Sequence, residues 1–379
     1  MENFIAYNPV KLHFGKDVLD DLRKAVDEFG KKVLLVYGGG SIKKNGVYEK
    51  IVKQLNTIGA EVYEYSGIRP NPVVEDVDAT AMLGREKNVD VIIAVGGGSV
   101  IDSAKMISIA IPVNTSAWDF FEGKIKPKTA IPLISVLTLA ATGTEMNPYA
   151  VLQNNSLQRK LGMGHQLMYP QHSFLDPTYT ISVSKEYTAY GIADLIAHCL
   201  EAFFGAGDAS LSDKFVYSII SEALQYGPLL IQDLKDYDLR AKIMYAATAA
   251  LNQTTTYGRV SGDWGVHNIG HNLSLLFDMA HGASLAIAYP AWLKLHHDRA
   301  GDRIIELGKN IFDDDTIDGT INKFENFFRS IGCPVRLLDA GINKDQHELI
   351  VDAMTKHDES GVHHKLSRED VVRMIEMMW

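Results

Sequence analysis

Two apolar runs in the first hundred residues each end in three glycines and a serine: KKVLLVYGGGS, closing at Ser41, and DVIIAVGGGS, closing at Ser99. An apolar run with no polar alternation is a strand buried on both faces, so it needs a layer above and a layer below. Each run leads into a stretch of helical periodicity, GVYEKIVKQLNTIG after the first and SVIDSAKMISIAI after the second. Between them AEVYEYSG alternates like a strand, and PNPVVEDVDATAMLGREKNV reads as a helix behind a proline. KTAIPLISVLTL is a further buried strand. This alternation predicts a mostly parallel sheet covered by helices, a Rossmann-like nucleotide-binding α/β domain.

From about Glu186 the pattern becomes helical throughout. KEYTAYGIADLIAHCLEAFF, SDKFVYSIISEALQYGPLLIQDL, LRAKIMYAATAALNQTTT and the histidine segment come first. AWLKLHHDRAGDRIIELGKNIF, INKFENFFRSIG, KDQHELIVDAMTKH and SREDVVRMIEMMW follow. Ser367 with Asp370 forms a capping-box pattern for the last helix. The expected domains are an α/β unit over 1–180 and an all-helical unit over 181–379.

At the second glycine run, Gly96, Gly97, Gly98 and Ser99 are placed to let the backbone approach a diphosphate, with positive φ available to glycine. The helix that follows offers free N–H groups at its start and carries Asp102 on the cofactor side. Three consecutive glycines depart from the G-x-G-x-x-G fingerprint. At the first run no acidic residue ends the strand to accept a ribose hydroxyl. Gly38, Gly39 and Gly40 leave space there, and Ser41, Lys43 and Lys44 are placed to meet a 2′-phosphate. The expected cofactor is NADP(H) in preference to NAD(H).

Asp194 and His198 lie four apart in a helical segment, on one face. His267 and His271 are likewise four apart, and His281 follows in DMAHG. Neutral imidazoles with one carboxylate suit Fe²⁺ or Zn²⁺. These five candidates compete for about four positions, one of which a substrate needs open, and spacing alone does not choose. His165, His172, His296, His297, His363 and His364 have no comparable partners and read as structural or solvated. Cys199 adjoins His198 but points about 100° away around the helix. Tyr149, Trp264 and Phe277 are candidate apolar lining residues.

Hydrophobic residues at 46% and charged residues at 22% mark a globular chain, and 379 residues suit two domains. A net charge of −10 argues against nucleic acid or an anionic membrane as partner. Two cysteines, Cys199 and Cys333, indicate no disulfide framework and a reducing compartment. MENFIAYNPVKLHFGKD does not read as a signal peptide, and AIPLISVLTLAA is too short to span a bilayer. The expected location is the cytoplasm.

The segments NPVKLHFGK, GGGSVIDSAK, TLAATGTEMN, Asp176-Pro177, ADLIAHCLE and GVHNIGHNLS with the later HG resemble the iron-containing, or group III, alcohol dehydrogenases. That family belongs to the dehydroquinate synthase-like superfamily. YGGGSIKKNG is similar to the butanol dehydrogenase and aldehyde reductase branch. The resemblance implies Asp194, His198, His267 and His281 as metal ligands and His271 as a histidine near the nicotinamide. It implies Gly96 to Ser99 as the pyrophosphate loop, with Thr138, Thr142, Asn147 and Lys160 near the nicotinamide. Gly38 falls where NAD-preferring relatives carry an aspartate. Ala140-Ala141-Thr142-Gly143-Thr144-Glu145 departs from the family's usual AGTGSE. The reaction implied is reversible hydride transfer between NADP(H) and a primary alcohol or aldehyde such as butanol or butanal, by a homodimer, with His271 a candidate for the proton relay.

Other readings compete. A polyol dehydrogenase of the glycerol type is the nearest. A dehydroquinate synthase-like lyase needs a dense cationic set, and the metal motifs here are flanked by apolar residues. A metal hydrolase is disfavoured by the glycine loop, and a non-catalytic protein by retention of all four ligand positions.

Overall fold

A computed structural model describes residues 1–356 and 360–379. The chain divides into two units. One comprises Tyr7–Val183 with Lys235–Met244; the other comprises Met1–Ala6, Ser184–Leu234 and Tyr245–Trp379. Two short segments thus depart from a division at residue 180. The Glu2 N–H donates to the Gly258 carbonyl and Phe4 stacks on Tyr257, which ties the N-terminus to the helical unit. Met244 packs into the α/β core.

The α/β unit holds β1 (Lys11–Phe14), β2 (Lys32–Tyr37), β3 (Glu61–Ser66), β4 (Val91–Gly96), β5 (Leu133–Leu137), β6 (Tyr149–Asn154), β7 (Arg159–Gly164) and β8 (His172–Leu175). Six of these form one parallel sheet in the order β1-β8-β5-β4-β2-β3. The apolar runs behave as expected of doubly covered strands. Val33, Leu35, Val91 and Ile93 enter one core and Leu34, Val36, Ile92 and Ala94 the other, all fully buried. Each such Val, Leu or Ile side chain contributes about 1.5–3 kcal/mol relative to exposure. β3, at the sheet edge, is the strand that alternates.

Four strands lie outside the expected alternation: β1, β8, and the antiparallel pair β6 and β7, which forms a separate two-stranded sheet. YAVLQN and RKLGMG carry too little apolar periodicity to announce a hairpin.

The strand order reverses between β2 and β4. β3 continues outward from β2, whereas β4 and then β5 build on the opposite side. Such a switch point is where open α/β sheets bind ligands, outside the carboxyl ends of the strands. Tyr37 stands opposite Val95, so the two glycine runs leave the sheet side by side.

The other unit carries helices and no strand among its described residues. The Lys185–Phe203 helix, capped by Ser184, packs against the Ser210–Gln232 and His281–Leu295 helices, and Gly265–Phe277 packs on the latter. AWLKLHHDRAGDRIIELGKNIF is not one helix. The His281–Leu295 helix runs through Pro290, and a new one starts at Gly301. The intervening turn places Arg299 in a two-pronged pair with Asp370. KDQHELIVDAMTKH is helical over His347–Thr355, and its final His357 lies outside the described residues. The capping box of Ser367 and Asp370 is present. No helix among the described residues is long and apolar enough to cross a membrane.

Candidate cofactor cradle and metal centre

The Gly98–Ala110 helix starts directly after β4, with Gly97 as an N-cap that offers no side-chain hydrogen bond. Its first-turn N–H groups and the positive end of its dipole are a ready anion site. The glycines serve a purpose other than the expected positive φ, which none of Gly96, Gly97 and Gly98 adopts. A methyl on Gly96 would meet Val100 Cγ2 at 2.5 Å, and one on Gly98 would meet Thr142 Cγ2 at 2.9 Å. Close packing of strand, helix and neighbouring loop excludes a side chain.

That neighbouring loop follows β5. Thr138 N–H donates to the Gly96 carbonyl, and Thr142 packs on Gly98, so both border the cradle. Asp102 and Asn147 are committed internally. Asp102 accepts from Thr144 Oγ1 and the Val151 N–H. Asn147 Oδ1 accepts from Lys105 Nζ and the Tyr149 N–H, and its amide donates to the Gly143 carbonyl. Lys105, fully buried, also donates to Thr144 Oγ1 and the Tyr149 carbonyl. Burial pulls its ammonium down to about 8. Lys160 donates to Asn71 Oδ1 at 2.7 Å.

At the first glycine run only Gly40 has positive φ, +92°. A methyl on Gly39 or Gly40 would meet nothing within 4 Å, so the space beside β2 is real. Ser41, Lys43 and Lys44 are exposed on the short helix that follows. Lys43 is drawn aside: its Nζ lies 5.2 Å from the Tyr37 ring centre and 4.6 Å from that of Tyr48. Both tyrosine hydroxyls donate to Glu64.

In the helical unit one ligand atom each from Asp194, His267 and His281 converge within 4.8 Å of one another. Asp194 Oδ1 is 3.9 Å from His267 Nε2 and 3.7 Å from His281 Nε2. His198 approaches through Asp194, with Nδ1 3.6 Å from Oδ1, and its ring centre is 4.7 Å from that of His267. His198 and His271 are both outside that set of three, the His271 ring centre 5.3 Å from that of His281. Ligand atoms about 2.1 Å from a tetrahedral ion lie roughly 3.4 Å apart, so the observed spacings fit a small divalent cation.

The chemistry of the donors fits as well. His267 Nε2 is buried with no hydrogen-bond partner, which a bound cation would supply. Burial holds the His198 imidazole well below its ordinary range and pulls that of His267 down to about 3. Both are therefore neutral at pH 7, with lone pairs available.

One residue of this centre escaped the sequence reading. Glu201, 1% exposed, lies with Oε1 2.8 Å from His267 Nδ1. Burial pushes its carboxyl up to about 8. The signal was present, since Asp194, His198 and Glu201 recur at helical spacing, i, i+4 and i+7. Trp264 also belongs here, its ring centre 5.4 Å from that of His267 and 6.3 Å from that of His198. Its φ of +62° is rare for a bulky residue. Tyr149 is 42% exposed in β6, and Phe277 lines a cavity of about 530 Å³ with Tyr190, Met279 and Cys333.

Residues 9–177 match the family model described as iron-containing alcohol dehydrogenase, and residues 188–379 match that of the family's C-terminal region. The chain belongs to the iron-containing alcohol dehydrogenase family. Within it the chain falls in the butanol dehydrogenase and aldehyde reductase branch. It is 40% identical to the probable NADH-dependent butanol dehydrogenase 2 of Bacillus subtilis, over 99% of each chain. It is 34% identical to the NADPH-dependent aldehyde reductase YqhD of Escherichia coli, over 94% of each. Its structure resembles that of NADH-dependent butanol dehydrogenase A from Thermotoga maritima, with a TM-score of 0.96 and 37% identity, covering 100% of this chain and 99% of that one. As an iron-containing alcohol dehydrogenase the protein is an oxidoreductase, and relatives with either nicotinamide cofactor stand close to it.

Proposed function

We propose that this alcohol dehydrogenase transfers hydride reversibly between NADP(H), with NAD(H) also accepted, and primary alcohols or aldehydes such as butanol and butanal. Asp194, His198, His267 and His281 hold a divalent ion, Fe²⁺ or Zn²⁺. The observation that carries this reading is the convergence of His267 and His281 on the Asp194 carboxylate, with His198 beside it. An ion bound there supplies Lewis-acid polarisation of the substrate oxygen, and the nicotinamide supplies the hydride.

The chain's own residues do the rest. The start of the Gly98–Ala110 helix, with Gly96 to Ser99, receives the cofactor diphosphate, and Thr138 and Thr142 wall that cradle. Asp102, Asn147 and Lys160 shape the cofactor side through their internal hydrogen bonds. The preference for NADP(H) is supported by the lack of an acidic residue at the end of β2 and the open space at Gly39 and Gly40. Ser41 and Lys44 are the groups that meet the 2′-phosphate, because Lys43 is engaged by two tyrosine rings. His271, beside His281, takes the proton released from the alcohol.

The net charge of −10 and two buried free cysteines support a cytoplasmic enzyme with no nucleic-acid or membrane partner. A homodimer is the assembly the family implies, and sedimentation tests it. The test of function is NADPH oxidation with butanal, on protein stripped of metal and reconstituted with Fe²⁺ or Zn²⁺. Metal-dependent turnover is expected. No turnover with either ion, in folded protein that binds NADPH, overturns the reading.

A further inference from the structure

Glu201 is a buried carboxylate seven residues beyond Asp194 on the same helix, yet it is not one of the converging ligand groups. Its Oε1 accepts from the His267 backbone N–H at 2.9 Å and lies 2.8 Å from His267 Nδ1. The backbone N–H groups of Trp264 and Val266 also donate to it. The Gly265–Phe277 helix has no cap from its own N-cap residue, Trp264. The first-turn donors of that helix, which need an acceptor, thus find it on a different helix.

The same contact decides the chemistry of the ring. Ionised, Glu201 keeps the imidazole proton on Nδ1 and leaves the Nε2 lone pair directed toward Asp194; the backbone N–H groups aimed at its carboxyl favour that form against its burial. A hydrogen-bonded carboxylate behind a ligating histidine also raises the basicity of the ligand.

We propose that Glu201 is a positioning residue of the metal centre: its carboxylate sets the tautomer of His267 and seats the helix that carries it. The proposal rests on the metal reading above. It separates two jobs, bracing the helix and aiming the ring, and a second residue shares only the first. Asp263 accepts from the N–H groups of Gly265, His363 and His364, so it braces the same helix start without touching the His267 ring.

The experiment titrates metal-stripped protein with Co²⁺ and follows its visible absorption bands, for wild type, Glu201→Gln and Asp263→Asn. Glu201→Gln is expected to bind about 10–100-fold more weakly with an altered band pattern. Asp263→Asn is expected to melt earlier while keeping the wild-type spectrum and affinity. Wild-type binding by Glu201→Gln, or equal weakening in both variants, overturns the proposal. Should Glu201→Gln not fold, the ¹⁵N shifts of the His267 ring in metal-stripped wild type at a pH above 8, where Glu201 is ionised, assigned with His267→Gln, give the tautomer directly. A proton on Nδ1 supports the proposal and one on Nε2 overturns it. Wild type that takes up no Co²⁺ defeats the metal reading instead, and the ring shifts still decide the role of Glu201.

Discussion

Gly282 follows His281 at the start of its helix, and a methyl there would lie 2.0 Å from the Tyr190 carbonyl oxygen and 2.6 Å from its carbon. Ordinary contact begins at 3.4 Å, so Gly282→Ala must push the facing backbones about 1.4 Å further from each other, the difference between those distances. No flexible side-chain end absorbs the clash. Tyr190 is one turn before Asp194, so the displacement acts on the 3.7 Å gap between Asp194 Oδ1 and His281 Nε2. Opening it to roughly 5 Å exceeds the roughly 3.4 Å that two ligands of one ion require. The expected cost is about 1–3 kcal/mol of stability from overpacking. That corresponds to a fall in Tm of roughly 2–4 °C per kcal/mol for a unit of this size. Turnover should fall about 100-fold, as for a catalytic group misplaced by an ångström. Scanning calorimetry, Co²⁺ titration and NADPH oxidation with butanal measure the three quantities. A Gly282→Ala enzyme with wild-type Tm and Co²⁺ affinity would refute the idea that this backbone contact spaces the ligands.

Gly38→Asp places a carboxylate where a 2′-phosphate is expected, and a methyl at that position clears the Ile68 carbonyl at 3.4 Å. It should lower kcat/KM for NADPH at least ten-fold relative to NADH, and an unchanged ratio would remove Gly38 from cofactor discrimination. His271→Ala should keep its metal content while the alkaline side of its pH–rate profile changes; an unaltered profile excludes His271 from proton transfer. The metal-free protein should lose stability in acid. His198 and His267 have depressed values in the fold, so below pH 6.5 the unfolded chain binds protons that the folded chain refuses. Each contributes a loss of about 1.4 kcal/mol per pH unit as pH falls, and His267 stops contributing near its folded value of about 3. Urea unfolding at pH 5 and pH 7 should show a smaller difference in His267→Gln than in wild type.

The sequence by itself determined the strands that carry the glycine runs, the helices behind them and the change to an all-helical second half. These are periodicities of a local chain, readable wherever burial on one or two faces imposes them. It also brought Asp194 and His198 together, because four residues make one helical turn. The capping box at Ser367 was legible for the same reason.

Tertiary structure decided the rest. The convergence of His267 and His281 on Asp194 depends on how three helices pack, and the spacing of residues 73 and 87 positions apart in sequence says nothing of it. Packing also gave the glycines of the cradle their reason, which is the nearness of Val100 and Thr142 rather than a left-handed backbone. It drew Lys43 onto two aromatic rings. Glu201 shows the division most clearly. Its helical register with Asp194 was visible in the chain, but its partner, the ring of His267, arrives from another helix across the core. Local sequence can place a donor on a face; only the fold determines what that face meets.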